Sequence, residues 1–182
     1  KKIILYVLVV FTVSCGQSKN ENKTIKETTT YYLVRHAEKD TIPVDNPKLL
    51  ASGEKRAQNL AAFFNNKTLD AVYSTDYTRT INTAYPTAKA QNLETIIYNP
   101  TTINYKTFLK ETKGKTVFVV GHSNTIPGFV NSIINANAYE EIDESIYNRM
   151  YVVTITDSKI KHELKMLDWF YFFSFANRCK KP

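Results

Sequence analysis

Short runs rich in β-branched and aromatic residues alternate along this chain with stretches of roughly ten to fifteen residues whose apolar positions recur at helical spacing. That alternation restricts the fold more than any other feature of the sequence. Thr30 to Val34, Asp70 to Tyr73, Thr95 to Tyr98 and Lys115 to Val120 read as strands, the last most clearly. Between them, Ser52 to Asn65 carries Ala57, Leu60, Ala61 and Phe64 on one helical face, with Ser52 as the expected N-cap. Asp76 to about Ala90 reads as a second helix in which Pro86 predicts a kink or a break. Asn104 to Thr112 is a short helix, and Ile126 to Asn135 is another, with Pro127 in its first turn, where proline is tolerated. Met150 to Thr156 and Lys159 to Leu167 read as two late strands joined by an Asp157-Ser158 turn. The expectation is an α/β three-layer sandwich, a mainly parallel sheet with helices on both faces. Such sheets bind ligands beyond the carboxyl ends of their strands.

At 182 residues and 43% hydrophobic content the chain can bury one core but not two comfortable ones. The net charge of +7 comes from scattered lysines without a basic block, which reads as a solvated surface and not as a nucleic-acid site. A weaker reading is long-range attraction of anionic substrates. The two cysteines, Cys15 and Cys179, have no CxxC partner, so no zinc site is expected.

Lys1 and Lys2 precede an apolar run, Ile3 to Val13, too short for the roughly 20 residues of a membrane-spanning helix. A basic start followed by an apolar core is the pattern of an export signal. Ser14-Cys15-Gly16 then resembles the end of a bacterial lipoprotein signal, which implies that Cys15 is lipidated and that the protein is anchored in the bacterial cell envelope. An ordinary secretory signal or an uncleaved anchor is the other reading. Residues 16–29 are polar and aperiodic and are expected to be a tether, so the folded domain should span 30–167. Residues 168–182 hold Trp169, Phe170, Tyr171, Phe172, Phe173 and Phe175, a tail that would pad the sheet edge or touch a membrane.

Three segments each follow a predicted strand: Arg35 to Glu38, Ser74 to Thr80, and Gly121 to Thr125. In a parallel sheet they share one edge, where Arg35 and Arg79 converge with His36 and His122. Two guanidinium forks match phosphate oxygens in planar, bidentate geometry. The helix expected near Asn124 adds backbone N–H groups and a positive dipole end. Neighbouring cations keep an imidazole neutral, and a neutral imidazole can attack phosphorus. Phosphoryl transfer asks mainly for alignment and charge stabilisation, which this set supplies without a metal. No aspartate cluster or Gly-rich lysine loop points to magnesium or nucleotide chemistry, and no cofactor is expected.

Leu33 to Glu38 resembles the signature of the histidine phosphatase superfamily, the phosphoglycerate-mutase-like fold. Ser74 to Thr80 resembles its second phosphate arginine, Gly121 to Ser123 its second histidine, and Leu50 to Ala57 the opening of its first long helix. The resemblance runs over roughly residues 30–167, with the motifs in family order. It implies His36 as nucleophile, Arg35 and Arg79 as ligands of the phosphoryl oxygens, and His122 as the group that steadies the transferring phosphoryl. Ser123, with Asn124 beside it, would add a donor to the substrate, or Ser123 would cap the helix. Many members place a proton-donating acid where this chain has Asn99 to Tyr105, a stretch without a carboxylate. Glu38 and Glu94 are the nearby acids. Glu38 would reach the pocket rim as the donor or pair with Lys39, and Glu94 reads as a loop cap. The short phosphohistidine-phosphatase branch manages with a reduced acid set. The implied activity is metal-independent hydrolysis of a phosphorylated small molecule or a phosphohistidine protein. The alternatives are a phosphomutase, which the short chain and missing lid disfavour, and a phosphate-binding module with little turnover. His162 reads as a plain exposed residue of a late strand.

Overall fold

The computed structural model describes residues 27–167. The signal segment with Cys15, nearly all of the tether and the aromatic tail lie outside the described residues. The elements are β1 (Thr28–Arg35), α1 (Ala51–Phe63), β2 (Ala71–Ser74), α2 (Thr78–Ala90), β3 (Thr95–Ile97), α3 (Tyr105–Glu111), β4 (Thr116–Gly121), α4 (Ile126–Ile134), β5 (Arg149–Thr156) and β6 (Lys159–Met166). They build one six-stranded sheet in the order β3-β2-β4-β1-β5-β6. The β1–β4, β4–β2 and β2–β3 pairs are parallel, while β5 and β6 add antiparallel pairs at one side. The β5–β6 hairpin turns through Asp157 and Ser158, both at positive φ (48° and 65°), the backbone a tight two-residue hairpin demands.

The pleat sends alternate side chains of each central strand to opposite faces. Tyr31 and Leu33 of β1 join Val117 and Val119 of β4 in the cluster that packs on α3 and α4 through Phe108, Phe129 and Ile133. Val34 joins Phe118 and Val120 in the cluster on the other face, against Leu60 of α1 and Ala84 and Ala88 of α2. Helices therefore cover both faces, in the three layers expected.

Local boundaries differ from the sequence reading for physical reasons. The first strand starts at Thr28, inside the expected tether, because the hydroxyl of buried Thr29 accepts the Gly114 amide at 2.8 Å. Ser52 is not an N-cap. The helix begins at Ala51 with Leu50 in the cap position and no side-chain cap bond. Its entry is set by backbone contact, since the Leu50 amide donates to the Glu38 carbonyl at 2.9 Å and Lys39 bridges to Leu49. Pro86 does not break α2. Asn82, whose carbonyl loses its helical partner to the proline, is exposed, so water can satisfy it.

Gly53 ties this helix to the strand-end loop. A Cβ placed there would lie 2.1 Å from the Glu38 carbonyl oxygen, the atom that accepts Leu50. We expect Gly53→Ala to push α1 away from residues 36–38, to destabilise the domain by about 1–3 kcal/mol and to impair the site as well. Urea unfolding of the variant tests this, and an unchanged midpoint would contradict it.

Candidate active site

Arg35 ends β1 in register with Gly121 at the end of β4, and Ser74 ends β2 opposite Val120. The three expected segments thus leave the sheet at one edge, and His36, Arg79, His122, Ser123 and Asn124 all line one cavity of about 1280 Å³. The His36 amide donates to the Gly121 carbonyl at 2.9 Å, and the Ala37 amide donates to the Thr83 hydroxyl of α2 at 2.9 Å. The nucleophile candidate is therefore held by β4 on one side and α2 on the other.

The His36 ring Nδ1 lies 2.8 Å from the Ala37 carbonyl. A carbonyl only accepts, so Nδ1 carries the proton and the Nε2 lone pair is left for reaction. His36 is buried, and burial lowers its pKa to about 3, with the Ala37 carbonyl opposing and Arg35, His122 and Arg79 adding to the fall. His122 stands with its ring centroid 5.6 Å from that of His36. Its pKa falls to about 4, again mainly by burial and then by Arg79 and Arg35, with Glu144 opposing. Arg79 NH2 is 3.4 Å from His122 Nδ1, which makes Nδ1 the acceptor of the neutral ring. Nε2–H then donates to the Thr75 hydroxyl at 2.9 Å, which donates to Thr80 at 3.0 Å, which in turn donates to the Tyr77 carbonyl at 2.8 Å. This hydroxyl relay fixes the tautomer and the plane of His122. Tyr77 packs its ring edge-on to His122 at 5.0 Å and under the Arg79 guanidinium at 4.3 Å.

Not every expected residue lands in the cavity. The Glu38 carboxylate is gripped by Arg56, from Nε at 2.9 Å and NH2 at 2.6 Å, and its partner is not Lys39. Burial raises the Glu38 pKa, but the Arg56 hydrogen bonds and charge outweigh it, so the net shift is downward. A carboxylate held ionised and bound on both oxygens is badly placed to give a proton, and Glu38 is not among the cavity-lining side chains. Ser123 does not cap α4, whose N-cap is Thr125. The buried Ser123 hydroxyl instead donates to the Glu144 carboxylate, and its carbonyl accepts the Ile142 amide at 3.0 Å. Asn124 is exposed at the cavity wall, two residues before the helix. Exposed His162 is less plain than expected, its Nδ1 lying 2.8 Å from the Tyr139 hydroxyl.

Sequence reasoning missed the segment between α4 and β5. Arg35 NH1 donates to the carbonyls of Asp143 (3.3 Å), Glu144 (2.8 Å) and Ile146 (3.1 Å), and NH2 pairs with the Glu144 carboxylate. Tyr147 stacks on the same guanidinium at 4.2 Å. No periodicity or motif marks residues 136–148, so nothing in the sequence alone brought them to the site. Thr75 and Tyr77 lay inside a recognised segment, where a hydroxyl and an aromatic ring beside the arginine were the available signals.

A sequence profile of the histidine phosphatase superfamily (branch 1) matches residues 31–100, the stretch that carries Arg35, His36 and Arg79. Over 70 residues the chain is 41% identical to phosphoserine phosphatase 1 of Hydrogenobacter thermophilus. That stretch is 35% of this chain and 33% of the relative, so the match spans about a third of that protein's length. The backbone resembles the protein histidine phosphatase SixA solved with tungstate, at TM-score 0.61 and 12% identity over 76% of this chain and 96% of that one. It also resembles the phosphoserine phosphatase of Entamoeba histolytica, a histidine-to-alanine mutant solved with phosphoserine, at TM-score 0.60 and 12% identity over 77% and 97% of the two chains. Phosphoglycerate mutase of Bacillus anthracis follows at TM-score 0.55 and 13% identity over 76% and 92%. The three structures establish likeness of fold, the phosphoglycerate-mutase-like one. The profile match makes residues 31–100, less than half of the chain, similar to the histidine phosphatase superfamily.

Both site histidines should stay neutral far below the ordinary histidine range. Their imidazole resonances, followed by NMR in the ligand-free protein, should show no protonation step between pH 8 and pH 5. A midpoint near 6.5 at His36 or His122 would contradict the burial argument. The sign for stability follows. Below about pH 6.5 the unfolded chain takes up protons that the folded site refuses, so these two residues cost stability as pH falls from there toward 4 and 3.

Proposed function

We propose that this domain is a phosphatase that takes the phosphoryl group of a phosphomonoester or a phosphohistidine onto His36 Nε2 and passes it to water. The observation that carries the reading is the His36 ring itself, locked by Ala37 in the tautomer that leaves Nε2 free, neutral at working pH, and beside His122 on one cavity wall. Nε2 attacks phosphorus, the bond to the leaving oxygen or nitrogen breaks, and that atom takes a proton from solvent as it departs. Water then attacks the phosphorus of the N–P bond and releases orthophosphate and the free imidazole. Arg79 stabilises the equatorial oxygens from the cavity wall, and Arg35, buried behind that wall with NH2 on Glu144, adds its positive charge. An anion in the cavity favours the imidazolium form of His122, so that ring is placed to donate from Nδ1 to the transferring group.

The wall formed by Asn99, Pro100 and Thr101 offers no carboxylate to the leaving group. Elsewhere the cavity is lined by the carboxyl groups of Asp76, Glu141, Asp143 and Glu144, none of which the sequence marks as a proton donor. A site without an assigned donor favours leaving groups that need little help, an imidazole or an aryl alcohol over a simple alkoxide, and it also supports the second reading, a phosphate-binding module with little turnover. Rapid quench with labelled substrate decides between them. An acid-labile, base-stable phosphoenzyme should form and should vanish in His36→Ala. Labelling that survives the substitution would remove His36 as nucleophile, and binding without any turnover would favour the module.

The lipid anchor on Cys15 is a further part of this proposal and rests on the sequence of Lys1 to Cys15. Expressed in a bacterium, the full chain should partition with membranes, and Cys15→Ser should release it or block its processing. Equal partitioning of both forms would remove the anchor.

A further inference from the structure

Arg35 has two sets of donors, used differently. NH1 is spent on three main-chain carbonyls of the segment between α4 and β5. The NH2–Nε side of a guanidinium is one that can take an oxyanion bidentately. Here NH2 holds the Glu144 carboxylate, while the buried Nε has no partner. The other Glu144 oxygen accepts the hydroxyl of Ser123, the residue expected to donate to a phosphoryl group. One carboxylate thus engages two donors that a phosphate would use. The Glu144 side chain is 72% exposed against 1% for Arg35, so a rotation into water frees both donors at once. Arg35 itself stays put in that event, because the three carbonyls and the Tyr147 ring hold it independently of the carboxylate.

We propose that Glu144 is an internal anion that competes with the substrate's phosphoryl group for Arg35 and Ser123, and so sets how tightly this site holds phosphate. The inference rests on the phosphatase reading above. A site that retains its product turns over slowly, and a carboxylate returning to Arg35 and Ser123 displaces orthophosphate after hydrolysis. The same competition penalises any ligand that offers a single weak oxyanion, because it replaces Glu144 without net gain. A phosphoryl group prevails through its third oxygen, which also reaches Arg79.

Calorimetric titration of the full chain with orthophosphate and with orthovanadate tests this without requiring turnover. Glu144→Gln keeps the shape and removes the charge, and Glu144→Ala removes the side chain. Both should bind orthophosphate about tenfold more tightly than the parent, with the product-inhibition constant falling in step. Glu141→Gln removes an equal charge from the cavity wall without a contact to Arg35, and should change binding by no more than about twofold. Unchanged or weaker binding in both Glu144 variants would overturn the proposal, as would an equal gain in Glu141→Gln, which would reduce the effect to overall charge. Loss of turnover in Glu144→Gln at unchanged phosphate affinity would also overturn it and assign Glu144 to the chemical step. If the parent and every variant fail to bind either anion, the phosphatase reading itself falls, and the inference falls with it.

Discussion

A full positive charge sits at the end of the central strand with almost no access to water. Arg35 is the largest fully buried side chain among the described residues, at 2% exposure. Burying an unpaired guanidinium costs several kcal/mol, so the surroundings of Arg35 must be built to receive it. Three carbonyls, one carboxylate and the face of Tyr147 do so. The segment that supplies them packs Tyr139, Ile142 and Ile146 against the core, and this one charge fixes the part of it that faces the site. The buried arginine therefore organises the cavity wall before any ligand arrives.

The same burial sets the chemistry of the histidines. Two imidazoles held among cations and away from water stay neutral, which costs folding stability in acid but keeps a nucleophilic nitrogen available at neutral pH. Neutral rings also need their tautomers defined, and the two are fixed differently. His36 uses the carbonyl of its own neighbour, a contact that follows from the turn after β1. His122 uses a relay of threonine hydroxyls at the start of α2, so its orientation depends on a different strand-to-helix junction. Gly53 ties α1 to the first of these regions, since the backbone it lets the helix approach is that of Glu38, two residues from His36.

Much of this was legible in the residues. The central strands announce themselves because both faces are buried and their runs are uniformly β-branched or aromatic, as in Val117 to Val120. The site motifs follow those strands directly, so knowing where Arg35, Ser74 and Gly121 end their strands suffices to bring His36, Arg79 and His122 to one edge. Helix starts were less legible, because Leu50 enters α1 on a backbone contact that no side-chain preference records. Glu38 was misread for a related reason. Its sequence neighbour Lys39 carries a charge, but the helix that packs beside it presents Arg56 in a bidentate pose. The residues around Glu144 were invisible because hydrogen bonds to one buried cation leave no periodic trace in the sequence.

The direction of β5 explains why that segment reaches the site at all. A chain of parallel strands enters each strand at the edge opposite its ligands, so the residues before a strand ordinarily stay far from the chemistry. β5 runs antiparallel to β1, and Met150 at its start pairs with Val34 near the end of β1. The residues before β5 must therefore cross the very edge where Arg35 and His36 emerge. Parallel strands deliver the arginines and histidines, and a single reversed strand delivers Glu144 and Tyr147 to them. The departure from an all-parallel sheet is thus part of how the site is assembled, and an insertion before Arg149 would be read out at Arg35.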